Sequence, residues 1–259
     1  MHTLRALLVL LGACLIHTLC TAQTRESGSF YLSKQLLALQ NDPTRNPLSL
    51  WLERGQTLLA AQCQSCHADA ALLKSSAATF PRLKANGKGL LNLEDQIALC
   101  QQRTGKAQAH SKPTTGAVED DDILALSAAL HQAAKGQNIS VTPPIAATEK
   151  AQWQLHLAHG QLLYTSRMGR MNLACMHCHD QKVGAQMRAD TISQGHPTGF
   201  PIYRMSWQTA GSIERRLRAC YSGVQADVPS AGSTDLRDLE LFLKVRANGM
   251  PLDGPSIRR

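Results

Sequence analysis

The chain is written twice, and that repetition constrains its fold more than any other feature. Cys63-Gln64-Ser65-Cys66-His67 and Cys175-Met176-His177-Cys178-His179 are both Cys-x-x-Cys-His. Each follows a leucine-containing Gly-Gln segment, Gly55–Leu59 and Gly160–Leu163. Phe80-Pro81 stands 20 residues before Cys100, and Phe200-Pro201 the same 20 before Cys220. Leu93, Ile97 and Cys100 in one copy, and Ile213, Leu217 and Cys220 in the other, fall at i, i+4 and i+7, one face of a helix. Asn92 and Ser212 are suited to cap those helices. Asp122–Gly136 aligns without gaps to Asp235–Gly249, and glycine is a usual helix stop. A repeat reads as one packing solution used twice. Each unit is helix, Cys-x-x-Cys-His, loop, Phe-Pro, cysteine helix, terminal helix. We expect an all-α chain: two cytochrome c-like domains in tandem, residues 51–137 and 153–259, with a linker at 138–152 containing Val141-Thr142-Pro143-Pro144. Residues 23–50 form an extension, either an arm against a partner or the second domain, or a disordered tail. The polar stretch 101–119 reads as a mobile loop.

Residues 1–22 read as a signal peptide, with Arg5 before a long apolar run and Cys20-Thr21-Ala22 as the cleavage site. No other segment is long and apolar enough to span a membrane. The expectation is an exported, periplasmic protein, soluble after cleavage. Six cysteines remain after residue 22: Cys63, Cys66, Cys100, Cys175, Cys178 and Cys220. Exported proteins often use such cysteines in disulfides, but this spacing points elsewhere. Two thiols at Cys-x-x-Cys spacing can add to the two vinyl groups of a haem, and the adjacent histidine then reaches the iron. Two copies predict two covalently bound haem c groups, with Cys63, Cys66, Cys175 and Cys178 as attachment points and His67 and His179 as iron ligands. The alternative is a pair of zinc sites, Cys63/Cys66/His67/Cys100 and Cys175/Cys178/His179/Cys220. Aromatic residues are only 4% of the chain, thin filling for two cores, and flat apolar cofactors would supply what is missing.

A histidine-ligated haem iron needs a sixth ligand or an open site, and methionine is the usual choice. No methionine occurs between Met1 and Met168. Cys100 is therefore the best candidate for the first iron, ahead of His110 and His131, and Cys220 takes the same place in the second copy. Met187, Met205 and Met250 read as core filler. The differences between the copies locate the chemistry. Asp95, Gln96 and Ala98 become Arg215, Arg216 and Arg218, and Ala133 becomes Arg246. Arginine's fork suits a small oxyanion, and cations favour a thiolate. The first copy reads as an electron carrier. The second reads as a carrier with an anion pocket over its sulfur, formed by Cys220, Arg216 and Arg246. The blander alternative is a core cysteine under a solvated basic face. The formal net charge of +8 falls to about +3 once signal removal and two ferric haems are allowed for, which leaves no support for nucleic-acid binding.

Both Cys-x-x-Cys-His motifs, Arg215–Cys220 and Leu239–Pro251 together make the mature chain resemble the SoxA family, the dihaem subunits of SoxAX cytochromes. The resemblance implies an L-cysteine S-thiosulfotransferase of sulfur oxidation. It implies that Cys220 is both distal ligand and active-site sulfur, carried as a persulfide, and that Arg246 and Arg216 hold thiosulfate. It implies a SoxYZ carrier cysteine as acceptor and the monohaem SoxX as partner and electron outlet. Two rivals are a dihaem thiosulfate dehydrogenase forming tetrathionate, and a plain dihaem electron-transfer cytochrome.

Overall fold

The computed structural model describes residues 24–64, 67, 70–105 and 119–259. The signal segment, Cys66 and His110 lie outside the described residues. A short 3-10 turn (Gly28–Tyr31) leads into α1 (Lys34–Asn41). The first copy then runs α2 (Ser49–Gln62), α3 (Ala70–Thr79), β1 (Arg82–Leu83), β2 (Leu90–Leu91), α4 (Leu93–Arg103) and α5 (Asp121–Ala133). The second runs α6 (Ala147–Thr165), α7 (Cys175–His179), β3 (Gln186–Met187), β4 (Asp190–Thr191), β5 (Ile202–Arg204), β6 (Thr209–Gly211), α8 (Ile213–Gly223), α9 (Thr234–Arg246) and β7 (Ser256–Arg258).

The fold is mixed, not all-α. Among the described residues three small sheets stand between the helices. β1 and β2 form one antiparallel pair and β3 and β4 another, while β5 pairs antiparallel with β6 and parallel with β7. These strands are two or three residues long, too short for an alternating pattern to be read. Tertiary hydrogen bonds make them, most plainly where Ile202 meets Ser256 and Tyr203 meets Ile257.

The cysteine helices begin as their capping residues direct. Asn92 accepts from the Asp95 amide, and Asp95 reaches back to the Asn92 amide at 3.1 Å, a capping box. Ser212 accepts from the Arg215 amide at 3.2 Å. In each copy the first helix crosses the terminal helix at a glycine. A Cβ at Gly55 would overlap the Ala125 carbonyl, and one at Gly160 the Asp238 carbonyl. α6 is further tied to α9 by His156 and His159, whose Nδ1 atoms each lie 2.8 Å from one oxygen of the buried Asp238.

The core does not divide cleanly between the copies. One cluster joins Phe80, Ile97 and Leu126 to Trp153, Leu241 and Met250; a second gathers Tyr164, Leu217, Tyr221 and Leu239. The segment after α5 is tied down: Ile139 N donates to Met250 O and Ser140 N to Ala78 O. Residues 24–50 lie against the second copy. Leu36, Leu39 and Trp51 pack with Leu48, Tyr203 and Ile257, and Ile257 N donates to Gln40 Oε1 at 3.0 Å.

Candidate functional site

α8 is strongly two-sided. Ile213, Leu217 and Tyr221 are buried, and Cys220 follows from the same face. A second approach comes from α7 and the loop after it. His177 is tied to the helix start, accepting from Ala174 N at 2.9 Å. His179 Nδ1 lies 2.8 Å from Ser193 O. A carbonyl only accepts, so Nδ1 carries a hydrogen, and Nε2 is the nitrogen left to face an iron. The His179 ring and the Cys220 sulfur are near enough to act on one another electrostatically. Burial pushes the Cys220 thiol up, but Arg216, His179 and Arg204 outweigh it and bring it down to about 7. Cys175 goes the other way: burial, then the neighbouring Cys220 and Cys178, push it up to about 12. Cys100, Cys175, Cys178 and Cys220 form no disulfide among the described residues.

These residues fit a haem better than a zinc ion. Among the described residues no three His, Cys, Asp or Glu side chains converge as a metal cluster. The donors come as one imidazole and one sulfur from different elements, with the Cys175 and Cys178 thiols beside them, which is the donor set of an axially ligated, covalently attached haem.

The equivalent place in the first copy differs in one respect. Gln96, one turn before Cys100, donates its Nε2 hydrogen to Cys100 Sγ at 3.2 Å. A neutral amide bonds to Cys100, whereas the matching Arg216 acts on Cys220 through its charge. His67 is exposed, with its amide bonded to Cys63 O at 2.9 Å. His131 is buried away from this site, its Nδ1 2.9 Å from Ser127 O, and lines a small cavity with Glu94, Glu240 and Lys244.

The gained arginines do not all gather at the sulfur. Arg216 does. Arg215 stacks on Trp207 at 4.4 Å and donates to Ala210 O, and Arg218 donates to Pro229 O at 3.1 Å, so both brace the α8 surroundings. Arg246 turns to Asp180, with Nη2 2.6 Å from Oδ1, and lies 4.5 Å over the Tyr164 ring. It lines a cavity of about 220 Å³ with Arg25, His196 and His179; Arg246 Nη1 and His196 Nδ1 are buried there without partners. Met250 is core, but Met187 and Met205 are 49% and 38% exposed, so the core-filler reading fits only the first.

Sequence reasoning missed three groups. Arg204 is the second cation acting on Cys220. Its signal was faint, since Lys84 already holds the matching position in the first copy. Glu119 reaches from the first copy to the start of α8, accepting from Ser212 N at 3.0 Å, where the helix dipole favours an anion. Arg25 comes from the extension and donates to the carbonyls of Arg246 and Asn248.

Residues 49–139 match the family model described as SoxA/TsdA, cytochrome c domain. That model spans both SoxA and TsdA and does not separate them. The L-cysteine S-thiosulfotransferase subunit SoxA of Pseudaminobacter salicylatoxidans is 30% identical over 241 residues, covering 90% of this chain and 80% of the relative. The chain belongs to the SoxA family. The SoxA of Paracoccus pantotrophus is 28% identical over 248 residues, covering 92% of this chain and 80% of the relative. A chain of the crystal structure of SoxXA from P. pantotrophus superposes with a TM-score of 0.78 at 26% identity, covering 92% of this chain and 89% of that one. As a SoxA, the chain is a cytochrome c subunit of an L-cysteine S-thiosulfotransferase, and its cytochrome c domain implies covalently bound haem c.

Proposed function

We propose that this SoxA joins thiosulfate to a cysteine of a SoxYZ-type carrier, with Cys220 as the sulfur at which transfer takes place. One observation carries the choice. The two cysteine helices share a ladder and a cap, yet Cys100 is met by the neutral Gln96 amide and Cys220 by the Arg216 charge. Arg216 and its surroundings hold the anion beside the sulfur and keep that sulfur a thiolate. Arg246, with an unpartnered Nη1 on the neighbouring cavity, is a second cation for the anion. The reaction joins thiosulfate to a thiol with loss of two electrons and a proton. Haem c, when bound, supplies one-electron storage at its iron.

The reading includes two haem c groups, one per copy: Cys63, Cys66, His67 and Cys100 for the first, Cys175, Cys178, His179 and Cys220 for the second. It divides the chain into a signal segment (1–22), an extension (23–50), two cytochrome domains (51–137 and 153–259) and a linker (138–152). It places the protein in the periplasm with a SoxX-type cytochrome as partner. The crystal structure of SoxXA from P. pantotrophus supports that partner, and the pairing of His179 with Cys220 supports the second ligand set. Among the described residues no helix is long and apolar enough to cross a membrane.

The test is thiosulfate-dependent modification of a carrier cysteine by purified holoprotein. Cys220→Ala is expected to abolish it, whereas Cys100→Met keeps the transfer step and alters electron flow. Transfer retained by Cys220→Ala refutes the assignment. Intact mass and EPR check the haems: two haem additions with histidine/thiolate signals are expected, and a single addition or only histidine/methionine signals count against the ligand sets.

A further inference from the structure

A guanidinium on the same helix as the reacting sulfur can hold an anion, but a single fork leaves the anion free to pivot about it. A second donor from another element removes that freedom. The β5–β6 hairpin provides one. Arg204 closes β5 opposite Thr209, and β6 runs through Gly211 straight into Ser212, the cap of α8. The hairpin and the helix carrying Arg216 and Cys220 are thus one continuous turn of chain.

Arg204 is fixed at one edge and open at the other. Its Nη2 donates to Asp190 Oδ2 at 3.0 Å, its Nε reaches Ser206 Oγ at 3.4 Å, and the Trp207 ring lies 5.5 Å away. The side chain is 13% exposed. Among the described residues its Nη1 has no hydrogen-bond partner, and the Arg216 guanidinium has neither a hydrogen bond nor an ion pair. Arg258 sits beside Arg204 across the parallel β5–β7 register. Arg204, Arg216 and Arg258 share this corner with the carboxylates of Asp190 and Asp253 and with the Cys220 sulfur.

We propose that Arg204 is a binding and specificity-determining residue, gripping the sulfonate oxygens of thiosulfate from the hairpin while Arg216 grips them from α8. Asp190 sets the angle of the Arg204 fork. This rests on the assignment of transfer to Cys220. Two forks from separate elements select a sulfur donor that carries an oxyanion over bare hydrosulfide, which has no oxygens to hold.

The experiment uses holoprotein with a cysteine acceptor peptide and a ferric cytochrome c that takes up the two electrons each transfer releases. It measures kcat and KM for thiosulfate, and inhibition by sulfate as an anion that cannot transfer. R204Q is expected to raise the thiosulfate KM and the sulfate inhibition constant together by about ten- to a hundredfold, with kcat falling by less than KM rises. R204K, with the charge but not the fork, falls between, and D190N raises KM by about threefold. The Soret spectrum and thermal midpoint report folding. If R204Q does not fold, R204K and D190N decide alone. Wild-type KM and sulfate inhibition in these variants overturn the proposal, as does a loss confined to kcat and thermal midpoint, which would make Arg204 only an anchor of the hairpin. Cys220→Ala in the same assay separates the two readings. If it keeps transfer, the assignment to Cys220 fails. If it abolishes transfer while R204Q behaves as wild type, only the role of Arg204 falls.

Discussion

At the scale of single residues, the two copies form a natural comparison in which the side chain at i−4 from the cysteine changes over a common ladder. Gln96 gives Cys100 a neutral hydrogen bond at 3.2 Å, and Arg216 gives Cys220 a charge. Arg216→Gln makes the second sulfur like the first. A charge-assisted hydrogen bond contributes about 1.5–3 kcal/mol, so kcat/KM for thiosulfate transfer is expected to fall roughly ten- to a hundredfold. Steady-state kinetics with a carrier cysteine check this, and wild-type kcat/KM would make Arg216 a bystander. Arg246 stands elsewhere, on Asp180 and Tyr164. Arg246→Ala is therefore expected to reduce transfer less than Arg216→Gln does. The reverse order, measured in the same assay, would place Arg246 nearer the sulfur in the haem-loaded protein. Comparing the copies singled out Arg216 because charge was gained at i−4 from the cysteine. It also pointed at Arg215 and Arg218, whose side chains leave for Trp207 and Pro229, because residue type carries no information about where a long side chain ends.

At the scale of elements, each copy is held by a helix crossing that leaves no room for a methyl group. Gly55 rests on the Ala125 carbonyl and Gly160 on the Asp238 carbonyl. The obstacle is backbone, so an added Cβ must push the helices apart. Gly160→Ala is expected to destabilise the second copy by about 3 kcal/mol, at the upper end for overpacking, despite alanine's better helix propensity. Thermal unfolding of the holoprotein measures it, and an unchanged or raised midpoint would show that the crossing relaxes freely. The helices were legible in the sequence because periodic ladders, caps and terminal glycines are local signals. The strands were not, because they depend on partners such as Ile257 for Tyr203.

At the scale of the whole molecule, the copies meet through buried charge. Arg237 on α9 donates to Asp95 on α4 at 2.6 and 2.8 Å and pairs with Glu214 on α8. Asn92 donates to Glu240 at 3.1 Å, and Ser127 on α5 donates to Glu94 at 2.7 Å. Glu94 and Glu240 line a small cavity together with Lys244 and His131. Burial pushes the Glu240 carboxyl up to about 8, against the pull of Arg237, and raises Glu94 as well; burial lowers Lys244 and takes His131 down to about 3. Because the folded pKa of Glu240 exceeds its unfolded value of 4.5, the folded state holds more proton between the two. The Glu240 contribution is fully present below about 4.5 and is lost as pH rises through about 8. His131 acts in the opposite sense between about 3 and 6.5, and Lys244 opposes on the alkaline side. The clean measure is a difference: the thermal midpoint of wild type relative to Glu240→Gln is expected to fall as pH rises from 5 to 8. A constant difference across that range would show that Glu240 is ionised throughout.

The sequence by itself determined the duplication, the two Cys-x-x-Cys-His motifs, the capped cysteine helices and the family, because all of these are carried by spacing along the chain. Only the tertiary structure decided the rest. It laid the extension on the second copy, ran one of the core clusters across both copies, and brought Glu119 and Arg204 to the helix of Cys220. It also sent Arg246 to Asp180. The reason is physical: a ladder records which face of a helix is buried, but what a charged side chain meets depends on elements far away in sequence, and those contacts exist only once the chain has closed on itself.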